Sequence, residues 1–232
     1  MDFLNGFYER KRLVKTFFFL CTGAFLLILF RQFLPTGKPY LFLLWNLFLA
    51  LIPLAISTII AHRSKQSADG RPGIVLSLGW LMFFPNAPYM LTDYVHVFYG
   101  GQAYFLLNLC TWAFVALIAF AAALISLNDI SKILQRHYHF STVYLIVLSI
   151  CLVTGFGIYL GRDLRFNSWD VLIKPQEILA QSIHSIRNPH SDLQTYIRAS
   201  MISILLFAAY LVLKVYDRRF MKTEQTQHSG HL

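Results

Sequence analysis

Six stretches of the chain are apolar for close to the length needed to cross a bilayer: residues 14–33, 40–61, 74–92, 103–126, 143–161 and 197–216. A hydrocarbon core about 30 Å thick takes about 20 residues of helix, at a rise of about 1.5 Å each. The pattern predicts an all-α polytopic transmembrane helical bundle of about six spans, a single integral membrane domain over residues 1–216. Only the connection from Arg162 to Tyr196 is long. Pro175 is placed there to open a helix, and Leu179, Ile183 and Ile186 recur on one face, which predicts a short interfacial helix. Ser191 and Gln194 have the spacing of a capping box for the sixth span. Residues 217–232 are polar and without periodicity, and a disordered tail is predicted there.

Composition changes the picture by exclusion. The chain is 56% hydrophobic and 13% charged, against about 25% charged in a soluble domain, and a soluble fold has no interior large enough to hide that much apolar surface. The net charge of +9 raises nucleic acid as a partner, but the basic residues stand in short clusters beside apolar runs, as orientation signals do. Nucleic acid is therefore excluded, and membrane lipids are the expected partners.

The same charges orient the chain. With a cytoplasmic N-terminus, 13 Lys and Arg fall on the inner side and seven on the outer, five of those seven around the last outer connection. Both termini are expected in the cytoplasm, with the protein in the cell membrane. Lys15 and Arg31, near the two ends of the first stretch, are expected to snorkel to the headgroups. The basic start resembles a signal peptide, but the apolar run is long and no A-x-A site follows, so it reads as a retained span. Cys21, Cys110 and Cys151 lie in separate apolar runs and read as small buried hydrophobes.

Two polar motifs interrupt the apolar pattern. The first, FPNAPYMLTDYVH, puts Pro85 and Pro88 inside the third span. Proline removes backbone donors and clashes with the preceding turn, so the helix should break near mid-bilayer, about 16 Å from Ile74. A broken helix with an embedded Asn86 is one way to build a midplane binding site; a kink whose carbonyls are met by Asn86 or a neighbouring helix is the simpler account. Asp93 and His96, three apart, share a helical face and suit an acid/base pair. Two ligands do not make a metal site, so no metal and no cofactor is implied.

The second motif, GFGIYLGRDLRFNSWD, has Gly157 and Gly161 at GxxxG spacing for close helix approach. Arg162, Arg165, Asn167 and Asp170 follow, beside Trp169. Arginines at headgroup level offer donors to phosphate or carboxylate oxygens. An Arg and Trp interface anchor is the plainer explanation, although it does not require Asn167 and Asp170.

Together, FPNAPYMLTDYVH and GIYLGRDLRFNSWDVLIKP resemble the bacterial integral membrane family known as domain of unknown function 1361. The resemblance runs from about the third stretch to the sixth. It places motif positions on Pro85, Asn86, Pro88, Tyr89, Thr92, Asp93 and His96, then on Gly161, Arg162, Arg165, Asn167, Ser168, Trp169 and Asp170. It implies a membrane protein with no assigned catalytic residue. The chain departs from the pattern in lacking a Trp and an acid before the fourth span and in having Asp163 at an apolar position.

Three functions compete. One is an enzyme or lipid-binding protein with a polar site at the outer interface, where Arg162 and Arg165 hold an anionic headgroup or lipid-linked phosphate and Asp93 or His96 acts as base or orienting group. Another is a small transporter or channel component using the broken third helix. The third is a structural or accessory subunit. Depth counting puts Asp93 and Arg162 at the same level, so the first reading expects the two to pair.

Overall fold

The computed structural model describes residues 2–34, 40–66, 73–98, 102–162, 164–167, 169–187 and 193–229. Every regular element among them is helical: α1 (Asp2–Gln32), α2 (Phe42–Gln66), α3 (Ile74–Phe83), α4 (Asn86–Tyr89), α5 (Phe105–Leu134), α6 (Phe140–Arg162), α7 (Asp170–Ile173), α8 (Pro175–Arg187) and α9 (Leu193–Ser229), with 3-10 stretches at Met90–Phe98 and Gln102–Tyr104. Six runs are long and apolar enough to cross a membrane: Arg10–Gln32, Phe42–Gln66, Ile74–Phe98, Gln102–Leu134, Phe140–Arg162 and Tyr196–Asp217. The chain is thus an all-α, multi-pass membrane protein.

The helices outrun the apolar stretches at several ends. α5 continues through the polar turn Asn128–Lys132 to Leu134. The largest difference is at the C-terminus, where α9 runs to Ser229 across the segment predicted to be disordered. Residues 217–229 hold no Pro or Gly, and a helix already nucleated by a span extends at little cost through Arg, Lys, Met, Glu and Gln. Ser191 and Ser168 lie outside the described residues, as does the side chain of Ile186.

The chain divides into two compact units, Met1–Leu54 with Asn86–Ala123, and Ala55–Pro85 with Leu124–Leu232. In the first, Ala24 and Ile28 of α1, Leu43, Leu47 and Ala50 of α2, and Val115, Ala119 and Ala122 of α5 are buried. Phe18, Phe19, Leu26 and Phe30 of α1 stay exposed, as lipid-facing side chains do. Arg31 departs from the sequence expectation: it is fully buried. It turns into the protein because partners wait there, Asn108 Oδ1 accepting from its Nε and the Tyr40 ring lying 4.3 Å from its guanidinium carbon.

In the second unit, small residues set the packing. A Cβ on Gly155 would come within 2.6 Å of the Ala199 carbonyl oxygen and would also strike Ser203 Oγ, so α6 and α9 touch where no side chain intervenes. Gly157 receives Pro85, whose Cγ would lie 2.8 Å from an added Cβ. Trp80 of α3 donates from Nε1 to Ser126 Oγ at 2.6 Å. Ser57 donates to Asp129 Oδ2 at 3.2 Å. Of the three cysteines, only Cys151 is buried; Cys110 is exposed on α5, where an apolar surroundings suits a thiol as well as an interior does.

The predicted break in the third span is present. α3 ends at Phe83, the Phe84 amide donates back to Trp80 O at 2.9 Å, and Pro85 has no amide to continue the ladder. The chain resumes as the single turn α4 and then as nine residues of 3-10 helix, much longer than the three or four residues usual for that geometry.

Candidate functional site

The sequence-derived candidates fall into two groups, one in each unit: Asn86, Asp93 and His96 in the first, and Arg162, Arg165, Asn167 and Asp170 in the second.

The first group is built on the long 3-10 stretch. Three residues per turn stack positions i and i+3 on one edge, so Met90, Asp93 and His96 stand in line. Burial falls along that edge: Met90 is fully enclosed, the Asp93 side chain is 3% exposed and that of His96 25%. Asp93 Oδ2 accepts from Asn46 Nδ2 at 2.9 Å, and Oδ1 lies 3.9 Å from His96 Nε2. The imidazole packs on the Phe42 ring with centroids 4.6 Å apart. Asn86 opens α4, and Pro88 is buried within it.

Carbonyls of this segment need donors at membrane depth, and side chains supply them. Trp112 Nε1 donates to Met90 O at 3.1 Å, Thr92 Oγ1 to Tyr89 O at 2.7 Å, the Tyr40 hydroxyl to His96 O at 2.7 Å, and Asn108 Nδ2 to Val97 O at 3.1 Å. Asn108 thus joins the segment to Arg31, whose guanidinium also faces the Tyr104 ring at 5.4 Å. Sequence reasoning missed Arg31, Tyr40, Asn46 and Asn108 as members of this cluster. The signal was there: an Asn inside each of two apolar stretches, Asn46 in 40–61 and Asn108 in 103–126, is costly unless it has a partner.

The second group is a helix end and the turn after it. α6 stops at Arg162. The Phe166 amide reaches back to Leu160 O at 3.0 Å, and Arg165 takes the left-handed conformation with φ 59°. Asn167 and Asp170 lock the next turn. The Asp170 carboxylate accepts from the Asn167 amide at 2.6 Å and its side-chain Nδ2 at 3.3 Å, while the Asp170 amide donates to Asn167 O at 2.9 Å. The Asp170 carboxylate thus closes a short turn over Asn167, with a backbone bond running the other way. This turn gives both residues a structural reason that an Arg and Trp anchor alone does not.

Beyond it, α7 exposes Val171, Leu172 and Ile173, the last two about 70% exposed. Lys174 follows, half-exposed and 3.6 Å from Glu177. α8 begins at Pro175, where the sequence places it, and exposes Leu179 and Ile183. Its other side is held to α6 by a hydrogen bond between the Ser185 and Tyr159 hydroxyls, and Tyr159 stacks on Tyr196 at 5.5 Å.

The structure brings Asp93 together with His96, and Asn167 with Asp170. The expected pair of Asp93 with Arg162 takes one residue from each unit; within its own unit Asp93 is matched to Asn46 and His96. Among the described residues no three His, Cys, Asp or Glu side chains cluster as a metal site requires.

No curated protein and no solved structure matches the chain. A family model described as "Protein of unknown function (DUF1361)" matches residues 45–213, a stretch that holds both polar motifs, and the chain belongs to that family.

Proposed function

We propose that the protein binds an anionic headgroup, of a lipid or a lipid-linked phosphate, at the segment that follows α6, facing the outside of the cell membrane with both termini cytoplasmic. The observation that carries this reading is the pairing, over residues 165–174, of exposed apolar side chains with exposed cations: Val171, Leu172 and Ile173 beside Arg165 and Lys174. Apolar side chains displayed next to a span seek the acyl boundary, and cations at that depth meet phosphate oxygens. Arg162, at the end of α6, adds a further guanidinium, whose fork suits a phosphate better than an ammonium does.

Native mass spectrometry tests the reading on protein moved from nanodiscs into detergent. The wild type is expected to retain phosphatidylglycerol over phosphatidylcholine, and R162Q/R165Q to retain about tenfold less, as losing charge-assisted hydrogen bonds implies. Equal retention of both lipids would defeat the proposal. The orientation is tested separately: a cysteine at position 191 should react with an impermeant reagent from outside, and one beyond Lys222 should not.

The break after Phe83 favours the transporter reading. It is the weaker of the two, because Trp112, Thr92, Tyr40 and Asn108 already engage the carbonyls that such a site would offer an ion.

A further inference from the structure

The span in α1 is the least enclosed of the six. Among the described residues 11% of its apolar window is buried, against 28–44% in the other five. Its two ends treat their cations differently. At one end Arg31 is drawn inside onto Asn108 and Tyr40. At the other, Lys11, Arg12 and Lys15 are exposed, more than two turns into a helix that begins at Asp2. Residues 9–15 carry four cations and one acid, Glu9, which leaves a net charge of +3, and no acid follows between Arg10 and Gln32.

Helical spacing lays these cations over an apolar stripe. Lys11, Lys15 and Phe18 follow one another at i, i+4 and i+7, and Arg12, Lys15 and Phe19 at i, i+3 and i+7, so the charges and the two rings share a face. Phe18 and Phe19 are 67% and 70% exposed, with Val14 beside them at 60%. Rings displayed in this way on a span lie in hydrocarbon, and the first cation stands about 4.5 Å along the axis from Phe18. The long stems of Lys and Arg reach from there to headgroup phosphates.

We propose that this face of α1 gathers anionic lipids of the leaflet in which the first span begins. The proposal stands apart from the headgroup reading at Arg162 and Arg165 and uses none of its residues. Charge complementarity names the occupant. A second copy of the chain laid along the same face would set Lys11, Arg12 and Lys15 against their own images, a like-charge contact that opposes association. A soluble acidic partner would meet the cations but not the rings on the same stripe. An anionic lipid covers both, with its phosphate on the cations and its chains on Phe18 and Phe19. Because the face is open, lipids exchange along it; they are enriched there in the bilayer and are not retained in detergent.

The test uses the full-length protein in nanodiscs of phosphatidylcholine with about a tenth of phosphatidylglycerol, each lipid in turn carrying a diazirine near the head of one chain. Labelled phosphatidylglycerol is expected to mark the segment Thr16–Arg31 at least about fivefold more per molecule than labelled phosphatidylcholine, the preference that one surface cation supplies. Raising the salt from about 0.05 to 0.5 M should remove most of that excess, because exposed charges are screened. Equal marking by the two lipids, or an excess that salt leaves untouched, overturns the proposal. K11Q/R12Q/K15Q should lose the excess and K11R/K15R should keep it; an excess that survives in the glutamine variant overturns the proposal as well. Both leaflets of a nanodisc hold the same lipids, so a change of orientation in the variant does not alter the reading. R162Q/R165Q separates the two lipid readings: it should leave the excess on α1 in place, and its loss there overturns an independent surface on α1.

Discussion

The two units differ in what brings their helices closest, although hydrogen bonds from Trp80 to Ser126 and from Ser57 to Asp129 also cross the second. In the first, polar side chains reach across: Asn46 to Asp93, Asn108 to Arg31, Trp112 and Tyr40 to carbonyls of the 3-10 stretch. In the second, α6 and α9 meet through Gly155, Ala199 and Ser203, and Pro85 sits on Gly157. Both are answers to the same problem, since surrounding lipid is as apolar as leucine and hydrophobic burial does little to draw membrane helices together. The charges differ in the same way. Arg31 and Asp93 are withdrawn from the surface and act as internal connectors. Arg165 and Lys174 are exposed in the segment that follows α6, Lys174 beside Glu177.

The sharpest test of the contrast compares glycines. Gly155→Leu should abolish folding, because the Ala199 carbonyl is backbone and cannot move aside; Gly155→Ala should destabilise by about 3 kcal/mol, the upper end for overpacking. Gly23 in α1 offers the control: its added Cβ would meet only Phe114 ring atoms at 3.6 Å or more. Gly23→Ala should therefore be neutral or stabilising by up to about 1 kcal/mol, from helix propensity. Thermal unfolding in detergent measures both, and equal losses at the two sites would erase the distinction.

Next in size is the polar connector. Asn46→Leu removes the donor to a buried carboxylate, and about 2 kcal/mol of stability should go with it, the range for a hydrogen bond to a charged group. A variant as stable as the wild type would mean that Asp93 is held by its other neighbours. Smaller still, Ser126→Ala leaves the Trp80 indole N–H without its acceptor inside the second unit. About 1 kcal/mol is expected, which would show that the second unit leans on hydrogen bonds less than the first does.

The sequence carried most of the fold because hydrophobic length and proline chemistry are local. Spans, the break after Phe83 and the start of α8 at Pro175 all follow from residues within a turn or two of the feature. What it could not carry depends on residues distant in the chain. Arg31 looked like a snorkelling cation because its hydrogen-bond partner, Asn108, is 77 residues away. Asn46 belongs with Asp93 for a reason visible only once α2 stands beside the 3-10 stretch. The C-terminal extension of α9 was hidden by composition: polar residues signal disorder when isolated, and helix when a span precedes them. Asn167 and Asp170, which the motif had suggested for chemistry, also hold a short-range turn together.

The smallest expected change in stability is also the most informative about function. Arg165 is exposed and has φ 59°, a conformation that costs a residue with a Cβ about 1 kcal/mol. Arg165→Gly relieves that strain, but glycine also gives the unfolded chain more freedom, a penalty of about 0.5–1 kcal/mol. The two effects oppose each other, so the melting temperature should barely move. Retention of phosphatidylglycerol has no such cancellation. If Arg165 grips a phosphate, R165G should retain several times less of it at unchanged stability. R165K, which keeps the charge but not the planar fork, should fall between the two. If instead R165G retains the lipid as the wild type does, Arg165 is only an anchor at the membrane surface, and the displayed charges of the second unit are as structural as the enclosed ones of the first.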